Sequence, residues 1–277
     1  MTTAIALLAG GPPGTAVRLG SAMLAIQLSI GAFNDLNDAE ADARSKPGKP
    51  IPAGTTGRGD AQLLTVAGLV IGLALSWPSG PIVTAIALAG GACGYLYDAG
   101  LKRTALSWLP LAIALPLLPA FAWLGASASA EAPFGRGGLP PGAGILVPLA
   151  ILAGGALAIS NALIDLEADR AAGLSTVVAR LGRERSWWLH ATLLVAVIVV
   201  AAGAVGAWWG TPAGAAGSGA TGLVGGVAFL VGAGLMALGA GLTWRRTRPS
   251  GPAATDRAGW LTRLAWEMEA VGVGLLG

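Results

Sequence analysis

Two short stretches of this sequence repeat one arrangement of oxygen-bearing side chains. Residues 33–54 read FNDLNDAEADARSKPGKPIPAG and set Asn34, Asp38 and Asp42 four residues apart, with Asp35 beside them. Residues 161–169 read NALIDLEAD and set Asn161, Asp165 and Asp169 at the same intervals. On a helix, positions i, i+4 and i+8 fall on one face. Like charges so spaced repel, and a divalent cation relieves that repulsion. The donors are all oxygen, with no cysteine nearby and no histidine partner, which suits Mg²⁺ rather than zinc. Mg²⁺ usually binds one or two carboxylates and completes its shell with waters and substrate phosphates. Two such helix ends facing each other therefore imply a phosphorylated ligand between them. Solvated carboxylates paired with local Arg and Lys are the plainer account of either stretch alone. The recurrence argues against it.

Basic residues lie where such a ligand needs them. Lys46 and Lys49 follow the first motif in KPGKP, Lys102 and Arg103 lie in YLYDAGLKRT after Tyr97 and Asp98, and Arg170 follows Asp169. Lysine clamps phosphate as a point charge and arginine as a planar fork. Arg58, Arg180, Arg183, Arg185 and the cluster at 245–248 read instead as charges that set orientation in a membrane.

The elements holding these residues are apolar. Hydrophobic residues make up 54% of the chain and charged ones 11%, where a soluble domain carries about 25% charged. Runs long enough to span a bilayer are expected near 16–33, 60–77, 81–97, 107–124, 143–164, 187–209, 222–244 and 258–277. The apolar piece at 2–10 is too short to span. The expectation is an all-α polytopic membrane protein forming one domain over 1–277, with eight full spans and a short N-terminal remnant of a ninth. Fifteen of the 17 Lys and Arg fall in 34–59, 98–106, 165–186 and 245–263, with two spans between each segment and the next. The positive-inside rule makes that face cytoplasmic, and both acidic motifs belong to it. The lone cysteine, Cys93, excludes an internal disulfide, and the net charge of +3 gives no reason to expect nucleic acid.

Together these residues resemble the UbiA family of membrane prenyltransferases. The first motif is similar to the family's NDxxDxxxD with a basic, proline-containing tail. NALIDLEADRAAGLSTVVARLG resembles its second Asp-rich motif, including Gly173, Thr176 and Gly182 downstream, and YDAGLKRT resembles the Tyr-x-x-x-x-Lys segment between them. The resemblance implies a helical bundle, usually of nine spans, around a cytoplasm-facing cavity. It implies transfer of an isoprenyl group from a prenyl diphosphate to an aromatic or lipid acceptor. Asn34, Asp35, Asp38 and Asp42 would then hold one Mg²⁺, and Asn161, Asp165 and Asp169 a second. Lys46, Lys102 and Arg103 would bind diphosphate oxygens, and Tyr97 would stabilise cationic or acceptor groups. The tail KPGKPIPAG looks more like that of members acting on lipid or chlorin acceptors than that of the 4-hydroxybenzoate enzymes. The second motif opens with Asn161 where the family has an acid, leaving fewer charges for the second ion.

Other residues and readings stay open at this stage. Glu267 and Glu269 lie deep in the last expected span, either lining an acceptor pocket or pairing with Arg263. His190, the single histidine, reads as an interfacial structural residue rather than a general base. A membrane terpene cyclase on the same scaffold would carry the same motifs. A cation-coupled transporter would also carry buried carboxylates, but near the midplane rather than at span ends.

Overall fold

A computed structural model describes residues 1–127, 143–171, 173–209, 220–247 and 264–273, all of their regular structure helical. Helices α1 (Thr2–Leu8), α2 (Pro13–Ser45), α3 (Arg58–Ser76), α4 (Pro81–Ala99) and α5 (Leu109–Ser127) come first. Then follow α6 (Ala143–Ile164), two short helices α7 (Leu166–Ala171) and α8 (Val177–Leu181), α9 (Arg183–Trp209) and α10 (Ala220–Thr247). A last helical stretch covers 264–273. Six helices among the described residues are long and apolar enough to cross a membrane: α2, α3, α4, α5, α6 and α9. The expected span at 222–244 lies within α10, whose apolar portion Phe229–Thr243 is shorter. The one expected at 258–277 lies partly outside the described residues. The expectation of eight full spans is thus met by six among the described residues.

The chain divides into two compact units, Met1–Lys102 with Ile113–Ala143 and Arg103–Ala112 with Gly144–Gly277. In the first, α2 starts on the Pro12-Pro13 pair, whose fixed φ suits a first helical turn, and ends where Pro47 and Gly48 cannot extend it. Glycines let α3 lie close on α2: a Cβ at Gly68 would sit 2.7 Å from the Ala25 carbonyl oxygen, and one at Gly72 3.0 Å from that of Ala22. Small residues of this kind are how membrane helices gain packing without a hydrophobic driving force. Ala16, Leu19, Ala22, Ile26, Val83, Ala87 and Phe121 form the core between α2, α4 and α5. At the far end of α2 the Arg18 guanidinium donates to the Leu75 carbonyl and, at 2.8 Å, to Ser79 Oγ, which in turn donates to the Gly125 carbonyl. Those contacts fasten three helix ends. Leu24, Leu28, Val66, Val70 and Leu88 face outward, as lipid-facing residues do.

In the second unit Ile159, Leu163, Leu166 and Val178 pack against Trp187 and Leu193. Trp187 donates from its ring to the Ala240 carbonyl at 3.1 Å, tying α9 to α10. Trp266 does the same to Leu157 at 3.2 Å, tying the last stretch to α6.

Candidate active site

The first acidic motif sits on the last turns of α2, a single helix through Ser45. At about 100° per residue, its four donors span an arc of about 100°, with Asn34 and Asp38 at one edge and Asp42 and Asp35 at the other. A different lysine serves each edge. Lys102 Nζ donates to Asn34 Oδ1 at 2.8 Å, Asp38 Oδ2 at 2.6 Å and Asp98 Oδ1 at 3.3 Å. Lys49 Nζ donates to Asp35 Oδ1 at 2.9 Å and Asp42 Oδ2 at 2.8 Å. The sequence places Asn34, Asp38 and Asp42 on one face with Asp35 beside them. In the structure the two lysines meet these donors in pairs, because the i, i+7 pair Asp35 and Asp42 returns to its own angle. Burial works to lower the Lys49 pKa, but the hydrogen bonds and charges of Asp42 and Asp35 outweigh it, so the ammonium persists above its ordinary range. The Lys46 side chain is exposed, its backbone closing the end of α2 on the Asp42 carbonyl.

The second motif is not one helix. The chain bends at Asp165 between α6 and α7. Carboxylates at a helix C-terminus oppose its dipole, whereas acids in a first turn complement it. The break places Asp165 at the N-cap position, which aspartate favours, and Glu167 and Asp169 in the first turn of α7. The Asp169 N–H still bonds the Asp165 carbonyl at 2.8 Å. Gly173, at φ 68°, terminates α7 in the left-handed conformation that favours glycine. Thr176 Oγ1 then donates to Asp169 Oδ2 at 3.4 Å and accepts from the Ala179 N–H, capping α8. Burial, and next the charge of Asp165, raise the Asp169 pKa, while the Thr176 hydrogen bond pulls it down. Arg170 turns to Glu167 at 3.8 Å, and Arg183 meets the same carboxylate at 2.9 Å. The Arg183 hydrogen bond chiefly holds the Glu167 pKa below its ordinary value. Asn161 is half-buried on α6.

Both donor sets suit Mg²⁺ chemically. Every donor is oxygen, and in the first motif the carboxylates already bind hard cations, the ammonium groups of Lys49 and Lys102. Among the described residues no three Asp, Glu, His or Cys side chains converge as a ready metal cage. Mg²⁺ does not need one, since waters and substrate phosphates complete its shell.

Elsewhere the structure corrects the sequence reading. Glu269 pairs with His190, Oε1 to Nε2 at 3.1 Å, while His190 Nδ1 meets the Ala156 carbonyl at 2.9 Å. Both side chains are fully buried, so His190 is a core residue rather than an interfacial one. Glu267 is exposed, and Arg263 lies outside the described residues. Tyr97 is half-buried near the end of α4, and Arg103 is exposed beside Lys102 in the chain. Two residues near the cluster were not singled out for the site. Asp98 could have been found from its i, i+4 spacing to Lys102. Tyr95 hydrogen-bonds Ser29 through its hydroxyl and sets its ring edge-on to Phe33 at 5.0 Å, a contact no local spacing signals.

The sequence pattern of the UbiA prenyltransferase family matches residues 1–264. The chain belongs to that family. Digeranylgeranylglyceryl phosphate synthase of Korarchaeum cryptofilum is 32% identical over 61% of this chain and 57% of its own length. Chlorophyll synthase of Oryza sativa is 31% identical over 57% of this chain and 42% of its own. The matches thus span about half the length of these curated relatives. Among solved structures, an apo UbiA homologue from Aeropyrum pernix shares the fold with a TM-score of 0.73 at 18% identity, over 99% of this chain and 92% of its own. A UbiA homologue from Archaeoglobus fulgidus, bound to GPP and Mg²⁺, does so with a TM-score of 0.63 at 16% identity, over 99% of this chain and 93% of its own.

Proposed function

We propose that this chain is a Mg²⁺-dependent membrane prenyltransferase that moves an isoprenyl group from its diphosphate to a lipid or aromatic acceptor. The observation that carries the reading is the Lys102 cluster: an ammonium bridging an amide and two carboxylates at the ends of two apolar helices, in a chain of this family. In this reading Asn34, Asp35, Asp38 and Asp42 hold one Mg²⁺, and Asn161, Asp165 and Asp169 hold a second. Bound there, Mg²⁺ would supply positive charge to offset that building on the leaving diphosphate. Lys102 and Lys49 donate to diphosphate oxygens, with Lys46, Arg103 and Arg170 completing the basic set. The C–O bond breaks with its electron pair leaving on the diphosphate. An acceptor carbon or oxygen captures the allylic cation and gives up its proton, with the Tyr97 ring available to the cation.

The names of the relatives, a glyceryl phosphate lipid synthase and a chlorophyll synthase, together with the KPGKPIPAG tail, favour a lipid or chlorin acceptor. The Lys and Arg bias assigns the site's loops to the cytoplasmic side, which labelling of single cysteines placed in 46–57 would test. The deciding assay incubates the full chain with Mg²⁺, prenyl diphosphates from dimethylallyl to geranylgeranyl, and lipid, chlorin and hydroxybenzoate acceptors. Prenylated product and diphosphate should appear together and stop on chelation. Product without acceptor would identify a cyclase, and no diphosphate release with any pair, as for a transporter, would refute the reading.

A further inference from the structure

Three helices of the first unit meet at one buried hydroxyl. Ser29 of α2 is fully buried, and its Oγ bonds both the Thr65 carbonyl of α3 and the Tyr95 hydroxyl of α4. A carbonyl only accepts, so the single Ser29 hydroxyl proton goes to Thr65, and the Tyr95 O–H must donate to Ser29. The bonds therefore run in one direction, from α4 through α2 to α3. The Tyr95 ring also stands edge-on to Phe33, with 5.0 Å between centroids and 80° between planes.

This node lies just beneath the Lys102 cluster on both α2 and α4. Ser29 comes five residues before Asn34, about 7.5 Å along α2, and Phe33 adjoins Asn34 in the chain. Tyr95 comes three residues before Asp98, about 4.5 Å along α4, so the two share a face. Lys102 follows one turn further on, past the end of α4.

The surrounding contacts fix distance better than register. A Cβ at Gly68 would sit 2.9 Å from Ser29 Cβ, and one at Gly94 2.6 Å from Ile30 Cδ1, so α3 and α4 both lie close on α2. Lipid tails are as apolar as most of the side chains in these contacts, so a small slide or rotation exchanges one contact for another at little cost. A hydrogen bond is less forgiving, because it weakens steeply with distance and angle.

We infer that Tyr95 is a positioning residue: through Ser29 it sets the register of α4 on α2, and so brings Lys102 to Asn34 and Asp38. The inference rests on the prenyl-transfer reading above, in which that cluster binds the diphosphate. Tyr95 itself acts through Lys102 rather than on the diphosphate.

Two measurements on the full chain in detergent test this role. The first is thermal unfolding in chelator, which needs no ligand. Lys102→Met should lower the melting temperature of the wild type. In a Tyr95→Phe background that shift should shrink by at least about half, since the ammonium is no longer held to its acceptors. A shift of full size there, or none in the wild type, would overturn the inference while leaving the prenyl-transfer reading standing. The second is Mg²⁺-dependent binding of inorganic diphosphate. Tyr95→Phe and Ser29→Ala should each weaken it about fivefold, and the double variant no further, because both changes break the same bond. Thr84→Val, which deletes a hydroxyl at the opposite end of α4, should bind as the wild type does. Unchanged binding in both Tyr95→Phe and Ser29→Ala would overturn the inference. Failure of the wild type to bind diphosphate would overturn the prenyl-transfer reading, and this inference with it.

Discussion

Lys102→Met tests how the first acidic cluster is held together. The ammonium has three N–H donors directed at Asp38 (2.6 Å), Asn34 (2.8 Å) and Asp98 (3.3 Å). The three charged side chains are 15% exposed for Lys102, 22% for Asp38 and 5% for Asp98. A charge-assisted hydrogen bond contributes about 1.5–3 kcal/mol net, and orphaning a buried charge costs about 3–5 kcal/mol. These figures do not add, because one ammonium serves all three acceptors. Asp38 can also regain water, whereas Asp98 cannot. Lys102→Met should therefore destabilise the protein by about 2–4 kcal/mol, lowering the melting temperature by roughly 5–10 °C. Tryptophan fluorescence during thermal unfolding in detergent and chelator would measure this. Asp98→Asn in the same background removes the stranded charge and should restore at least about 1 kcal/mol, although alone it weakens a pair that exists. A melting temperature within about 1 °C of wild type, or an equal effect of Asp98→Asn in both backgrounds, would refute the reasoning.

Further outcomes follow from the same geometry. Asp38→Asn and Asp165→Asn should each abolish prenyl transfer while leaving membrane insertion intact, as followed by product formation and membrane fractionation; turnover like that of wild type in both would dismiss the metal assignment. Protons and Mg²⁺ compete for the Asp169 carboxylate, whose pKa is raised by burial and then by the Asp165 charge. Mg²⁺ affinity at the second motif should thus fall on acidification at a higher pH than for an ordinary aspartate, and Asp165→Asn should move that fall to lower pH. Metal titration at a series of pH values would show it, and an unmoved profile would exclude the Asp165 charge as a cause. Gly72→Val should destabilise by about 2–3 kcal/mol, because it overpacks the contact between α3 and α2; chemical unfolding in mixed micelles would measure the loss.

The two motifs were legible because their spacing is local and their composition stands out against an apolar chain. The first read correctly as helix through Asp42, since nothing in 33–45 breaks one. The second was read as the same helix, and there the sequence misled. Three acids at the end of α6 favour a fresh start at Asp165, so dipole preference outweighed the four-residue repeat. The division of the first motif between Lys49 and Lys102 was hidden for another reason. Lys102 lies 64 residues from Asp38, and only packing of α4 on α2 chooses which carboxylate it meets. The pairing of Glu269 with His190, 79 residues apart, was illegible on the same ground.

That pairing joins two distant stretches of sequence. A carbonyl only accepts, so His190 Nδ1 must be the protonated nitrogen facing Ala156. Nε2, on the other side of the ring, then meets Glu269 Oε1 at 3.1 Å. Gly239 makes room for it, since a Cβ there would sit 2.5 Å from Glu269 Cγ. Changing either partner alone to an apolar residue strands the other in a buried site. The two positions therefore behave as one inherited character written in two places. A chimera that takes α9 from one relative and the last helical stretch from another would have to carry both halves or neither.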